Sequence, residues 1–158
     1  PWKVPSMDTL PEIKPPYAKL GEKYQPYARN PEMLNRYWAI PGTPGLEHRL
    51  GGLEKMDITG TVSYVPENHD KMTNLREKKV QNIENFIPKQ TVFGDEKGEL
   101  LVVSWGGTYG HVFSAVDSMR QNGHDVHMCH FNYINPLPSN VREIFSRYKR
   151  IVVCEINY

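Results

Sequence analysis

Residues 99–110 read ELLVVSWGGTYG. Leu100 to Val103 run without a polar break, the pattern of a strand covered on both faces. Gly106, Gly107 and Gly110 crowd its end. Val112, Phe113, Val116 and Met119 then recur at helical spacing, and Asn122-Gly123 supplies a C-cap signal. Residues 125–131 form a second strand before Pro136 and Pro138 break the chain. Asn140 and Glu143 stand at capping-box spacing, ahead of a helical stripe of Val141, Ile144, Phe145 and Tyr148. Residues 151–156 read as a third buried strand. Upstream, 91–93 is a short β-rich run before a turn at 94–98. Strand, helix, strand, helix, strand with short connections predicts an α/β unit over 88–158, a doubly wound parallel sheet. Two crossover helices of one hand are expected on one face, so the other face would need the preceding helix or one that follows.

Outward from this unit the texture changes. Nine of the thirteen prolines lie at or before Pro44, interleaved with Trp2, Tyr17, Tyr24, Tyr27, Tyr37 and Trp38. Disordered tails are poor in aromatics, so residues 1–65 read as an irregular, Pro-rich extended arm that packs on neighbouring domains. Met72, Leu75, Ile83 and Phe86 then predict an amphipathic helix over 66–87, opened by Pro66 and closed by Pro88. The chain has 158 residues, 39% apolar and 23% charged, and a formal net charge of +1. That balance gives no support to nucleic acid or a polybasic membrane contact as partner. No apolar run has membrane-spanning length, and two cysteines make no disulfide framework, which fits a reducing cytoplasm.

Few residues are arranged for chemistry. Gly106, Gly107, Thr108, Tyr109 and Gly110 form a strand-to-helix turn, either a tight turn that needs small residues or an anion or interface contact at the strand's carboxyl end. Glu155 is the one acid of the last strand and falls near the same end. His124 and His130 would point to one face of a strand and His127 to the other, so they do not converge on a metal. Cys129 and Cys154 read as small core residues. Glu47, His48 and Arg49 form a polar cluster in a Gly-rich loop, read as a loop anchor or a contributor to a site. No catalytic residue and no metal set emerges.

Five strings occur in order: RYWAIPGTPGLEHRLGG, TGTVSYVPENHDKM with LREKKV, LLVVSWGGTYG, FNYINPLPSNV and VVCEIN. The series resembles the C-terminal part of α subunits of the 2-oxoacid:acceptor oxidoreductase family, the 2-oxoglutarate:ferredoxin oxidoreductases in particular. The resemblance implies a transketolase C-terminal-like domain behind the arm, truncated at its C-terminus, hence a fragment of a longer polypeptide. Where relatives carry Gly-Ser-Thr this chain has Gly106-Gly107-Thr108. The implied reaction is oxidative decarboxylation of a 2-oxoacid to acyl-CoA in the cytoplasm. The complex uses thiamine diphosphate, Mg2+, an iron–sulfur cluster and coenzyme A, with the remaining α-subunit domains, a β subunit and ferredoxin as partners. None of these cofactors is expected on this fragment. Its implied role is subunit assembly and shaping of the active-site entrance, near which Glu47, His48 and Arg49 would lie, without turnover on its own. The alternative is an independent module that binds phosphate or coenzyme A at Gly106–Gly110.

Overall fold

The computed structural model describes residues 4–156, so Trp2, Asn157 and Tyr158 lie outside the described residues. Two compact units emerge, Pro1–Lys79 and Val80–Tyr158, where the sequence divides into 1–65, 66–87 and 88–158.

In the second unit, β1 (Gly98–Trp105), α2 (Tyr109–Gln121), β2 (Val126–Phe131), α3 (Val141–Ser146) and β3 (Tyr148–Val153) follow in order, α1 (Pro66–Gln81) having preceded them. The sheet is parallel with strand order β2-β1-β3. The unbroken apolar run of β1 fits its central place. Leu101 and Val103 pack with Cys129, Phe131, Val141, Ile144 and Tyr148 on the α3 face. Leu100 and Val102 pack with Val112, Val116, Val126 and Met128 on the α2 face.

The two crossover helices therefore lie on opposite faces, which corrects the expectation of one shared face. The chain leaves β1 toward one edge and returns from β2 past β1 to the other, so right-handed connections fall on opposite sides.

The third strand also departs from its expected place. It starts at Tyr148, in register with Gly98, and not at residue 151. Tyr148 belongs to strand rather than helix, with its ring buried and its hydroxyl donating to the Asp95 carbonyl at 2.6 Å. The expected buried strand is an edge strand, with residues 149–153 exposed. No capping box forms at α3. The Asn140 amide instead bridges the Gln90 backbone, accepting from its N–H and donating to its carbonyl, both at 2.9 Å. The run at 91–93 contributes one antiparallel bridge, Phe93 to Met128, on the free edge of β2. Asn122 and Gly123 do end α2, with Gly123 at φ +84°.

The first unit is irregular, joined by isolated bridges Tyr17–Trp38, Tyr27–Ile58, Arg29–Arg36 and Lys55–Val62. The α-helical part of the predicted 66–87 segment ends at Gln81, and a 3-10 turn occupies Asn82–Asn85. Of its apolar stripe Met72 is buried, while Ile83 and Phe86 are exposed. Charge ties the loop at 54–63 to α1. Asp57 pairs with Arg29 and, at 2.7 Å, with Lys71. Glu54 pairs with His69 and Arg76. The Asn68 amide fixes the same loop, accepting from Asp57 N–H and donating to the Lys55 carbonyl.

Burial alone would raise the Asp57 carboxyl, but hydrogen bonds from Lys71 and Arg29 outweigh it and hold the group below its ordinary value. A depressed carboxylate stabilises the fold above its unfolded pKa of about 3.9, and the contribution fades as pH falls through the folded value. Urea unfolding of the chain and of Asp57→Asn is expected to show a constant gap at neutral pH that narrows below about pH 4. A gap independent of pH would show that the ion pairs contribute nothing.

Candidate functional site

Parallel sheets carry their ligand positions outside the carboxyl ends of the strands, where connections leave in opposite directions. Here the connection from β1 leaves toward β2 while that from β2 crosses back to β3, so the candidate position is the carboxyl end of the central strand β1. Trp105 hands over to a 3-10 turn, Gly106–Thr108, and α2 begins at Tyr109. Gly106 sits at φ +60°, a left-handed conformation that disfavours any side chain. A Cβ at Gly107 or Gly110 would meet nothing within 4 Å. Gly106→Ala is therefore expected to cost about 1 kcal/mol and Gly107→Ala less than about 0.5 kcal/mol, as read by urea unfolding.

Thr108 is buried and its hydroxyl donates to the Trp105 carbonyl at 2.7 Å. It closes the turn and does not cap the helix, since α2 has no side-chain cap. Tyr109 is half exposed and stacks on Phe113 with ring centroids 5.7 Å apart. Glu155 lies two residues past the end of β3. Val103 pairs with Val153, so Glu155 falls level with Trp105 by register, at the same end of the sheet. Its Oε1 accepts the N–H of Ile156 at 2.8 Å.

The loop cluster lies in the first unit. His48 donates from Nδ1 to the Leu46 carbonyl at 2.9 Å, and its ring meets Tyr24 edge-on at 5.2 Å. His48 and Glu47 line a cavity of about 590 Å3 with Trp38, Tyr37 and Leu50. Arg49 is exposed beside it. The loop is thus an anchor at His48 and a cavity wall at Glu47.

The remaining singled-out residues divide sharply. Cys129 is fully buried, and burial pushes its thiol up to about 11. Cys154 is half-buried beside the α2-face cluster. His124 precedes β2 and lies outside it. His127 is fully buried, with Nε2 donating to Asp125 at 2.6 Å and Nδ1 accepting from the Asp95 N–H at 2.9 Å. Arg120 reaches the same Nδ1 at 2.9 Å and the Val126 carbonyl at 3.1 Å. This network pins the 94–98 turn to β2, and the hydrogen bond from His127 keeps Asp125 below its ordinary pKa. Spacing predicts that His127 and His130 face opposite ways, but not the acids from distant turns that complete the cluster. Lys55 was also not foreseen as a core residue. It is buried with its ammonium on the carbonyls of Gly51 and Leu53.

Among the described residues, no group of three or more His, Cys, Asp or Glu is placed to hold a metal ion. No helix among them is long and apolar enough to cross a membrane.

No family model matches the chain. Along 99% of its length it is 46% identical, over 159 residues, to the 2-oxoglutarate oxidoreductase subunit KorA of Mycobacterium tuberculosis, of which it covers 24%. It is 30% identical over 111 residues to subunit alpha of the 2-oxoacid:ferredoxin oxidoreductase 1 of Aeropyrum pernix, covering 66% of this chain and 17% of that one. The chain thus spans about a quarter or less of the curated relatives it matches. Among solved structures it resembles the 2-oxoglutarate:ferredoxin oxidoreductase of Magnetococcus marinus, seen with 2-oxoglutarate, coenzyme A and succinyl-CoA bound. The TM-score is 0.83 at 24% identity, over 98% of this chain and 27% of that one. That likeness establishes the fold, an α/β unit consistent with the transketolase C-terminal type.

Proposed function

Because nearly the whole chain aligns with one segment of a 2-oxoglutarate oxidoreductase subunit, and two thirds of it with 2-oxoacid:ferredoxin oxidoreductase α subunits, we propose that it serves in such an enzyme acting on 2-oxoglutarate, as a part that assembles subunits and shapes the active-site entrance. The observation that carries the reading is the 46% identity held over 99% of the chain. The first unit supports the assembly role. Ile13, Trp38, Leu50 and Tyr64 are all more than half exposed, on an irregular segment whose own core is small. Scattered exposed apolar residues are ordinary, but a concentration of large ones points to surfaces that meet other domains.

In this reading the parent complex is cytoplasmic, with the remaining α-subunit domains, a β subunit and ferredoxin as partners. Thiamine diphosphate with Mg2+ supplies the decarboxylation chemistry, an iron–sulfur cluster passes electrons on, and coenzyme A takes the acyl group. The described residues of this chain do not fit the metal ion or the iron–sulfur cluster. They offer no metal-holding cluster, and two cysteines fall short of the four ligands a cluster takes. No catalytic side chain is assigned to this chain. Glu47 and His48 act as wall and anchor of the loop facing the entrance, and Arg49 stands exposed beside them.

The test is co-expression of full-length α and β subunits. The wild-type pair is expected to reduce ferredoxin or a dye in the presence of 2-oxoglutarate and coenzyme A, while the 158-residue chain alone shows no turnover. A Trp38→Asp, Leu50→Asp pair is expected to cut recovery of the assembled complex at least about tenfold, with the circular dichroism of the chain unchanged. Activity with a different 2-oxoacid alone would retire the substrate. Full assembly of the variant would retire the interface.

The second reading, a phosphate or coenzyme A contact at the Gly106, Gly107, Thr108, Tyr109 and Gly110 turn, is favoured by the open space over Gly107 and Gly110. Calorimetry with coenzyme A on wild type and Gly107→Val separates it from a purely structural turn. Heat that vanishes in the variant supports a site, and no heat with either protein retires it.

A further inference from the structure

We propose that a pocket beside the carboxyl end of β2 binds a small carboxylate with a planar apolar body, held by His130, Tyr109 and Asn132. The cavity measures about 510 Å3 and is floored by Val92, Phe93 and Met128. It forms where the 91–93 segment bridges the free edge of β2, close to the start of α2. It lies wholly within the second unit and is independent of the assembly role proposed above.

The polar wall is organised from below. Ser104 is fully buried, and its Oγ lies 2.8 Å from His130 Nδ1. A buried hydroxyl needs an acceptor, and Nδ1 is the partner in reach, so the hydroxyl donates and the ring proton resides on Nε2. Burial holds the imidazole below its ordinary value, so the ring is neutral at pH 7. Tyr109 meets it edge-on at 5.0 Å and is itself stacked on Phe113, which fixes both rings. The pocket therefore offers a ring N–H, a phenol and an amide above an apolar floor.

The preference for an anion follows from three features. None of the lining residues is acidic. The Thr108 hydroxyl is spent on Trp105, and α2 has neither a side-chain cap nor an acid in its first turn, so no carboxylate neutralises its positive end. The donors at the wall are of the type that hold carboxylates, and Phe93 and Tyr109 favour a flat body between them.

The test uses the full chain labelled with 15N and titrated with benzoate. The His130 side-chain signal is expected to shift saturably, at the millimolar half-saturation typical of so small a fragment. His130→Phe, which keeps the aromatic volume, is expected to abolish saturation at the remaining pocket signals. Ser104→Ala, which releases the ring proton to either nitrogen, should weaken binding about threefold or more. Tyr109→Ala removes a half-exposed side chain and serves should His130→Phe lose its dispersed spectrum; it too should weaken binding. Benzylamine should give no saturable shift. No saturation with benzoate, equal response to benzylamine, or undiminished binding in either pocket variant would overturn the proposal. An unchanged Ser104→Ala affinity would overturn the assignment of the ring N–H as the donor.

Discussion

Gly98→Ala is expected to destabilise the α/β unit by about 3 kcal/mol, among the largest effects of any single methyl in this chain. The added carbon would stand 2.2 Å from His127 Nε2 and 2.5 Å from Asp125 Oδ1. Flexible neighbours absorb such a clash, but His127 is not one. Its ring is fully buried and held at both nitrogens, by Asp125 on one side and by the Asp95 N–H and Arg120 on the other. To admit the methyl, the ring has to surrender the 2.6 Å hydrogen bond to Asp125, leaving the buried His127 Nε2 short of a partner. Hydrogen exchange of the β1 amides reads the loss. A double-mutant cycle checks its cause, because Gly98→Ala should cost far less in a His127→Ala background. A single-variant cost below about 1 kcal/mol would mean that the network yields freely.

Leu101→Ala is expected to cost about 3 to 4 kcal/mol. Leu101 has no exposed surface and lies in the centre of the α3-face cluster, against Val103, Cys129, Phe131, Val141, Ile144 and Tyr148. Surrounded by strands and a helix, the site cannot collapse on the void, so cavity cost adds to lost transfer energy. The same exchange at Ile151 is the control. Ile151 pairs with Leu101 in register, yet it is 38% exposed, and its truncation should cost less than about 1 kcal/mol. Urea unfolding of the two variants side by side tests both the depth of the core and the edge position of β3. Equal costs would contradict that edge position.

These two residues also show what was legible in the sequence. The run Leu100–Val103 reads as a strand covered on both faces, and Asn122-Gly123 after a helical stripe reads as a helix end, because each signal is local. Tyr148 was open to two readings. It completes the spacing of Val141, Ile144 and Phe145, and its assignment to a strand rests on pairing with Gly98, fifty residues away. Asn140 likewise has the spacing of a cap but spends its amide on Gln90, a choice made by tertiary placement. Helix sides were misplaced for a related reason. The hand of each crossover follows from local chirality, but its direction depends on strand order, which hydrophobic patterning does not encode. At the candidate site, the turn and Glu155 were visible because glycine and an isolated acid stand out. The pairing of Ser104 with His130 was not, since neither residue is unusual until the register of β1 and β2 sets them side by side.

The strand order has a consequence for how the chain is made. The central strand is synthesised first and flanked last. As β1 leaves the ribosome it carries the most apolar run of the unit, with both of its edges bare. At roughly 5 to 20 residues per second, the fifty residues from Gly98 to its partner Tyr148 take roughly 3 to 10 s to follow. Until β3 follows, at least one edge of the segment destined to be the best protected in the sheet stays open to a foreign strand, which makes β1 a place for a nascent-chain chaperone to shield.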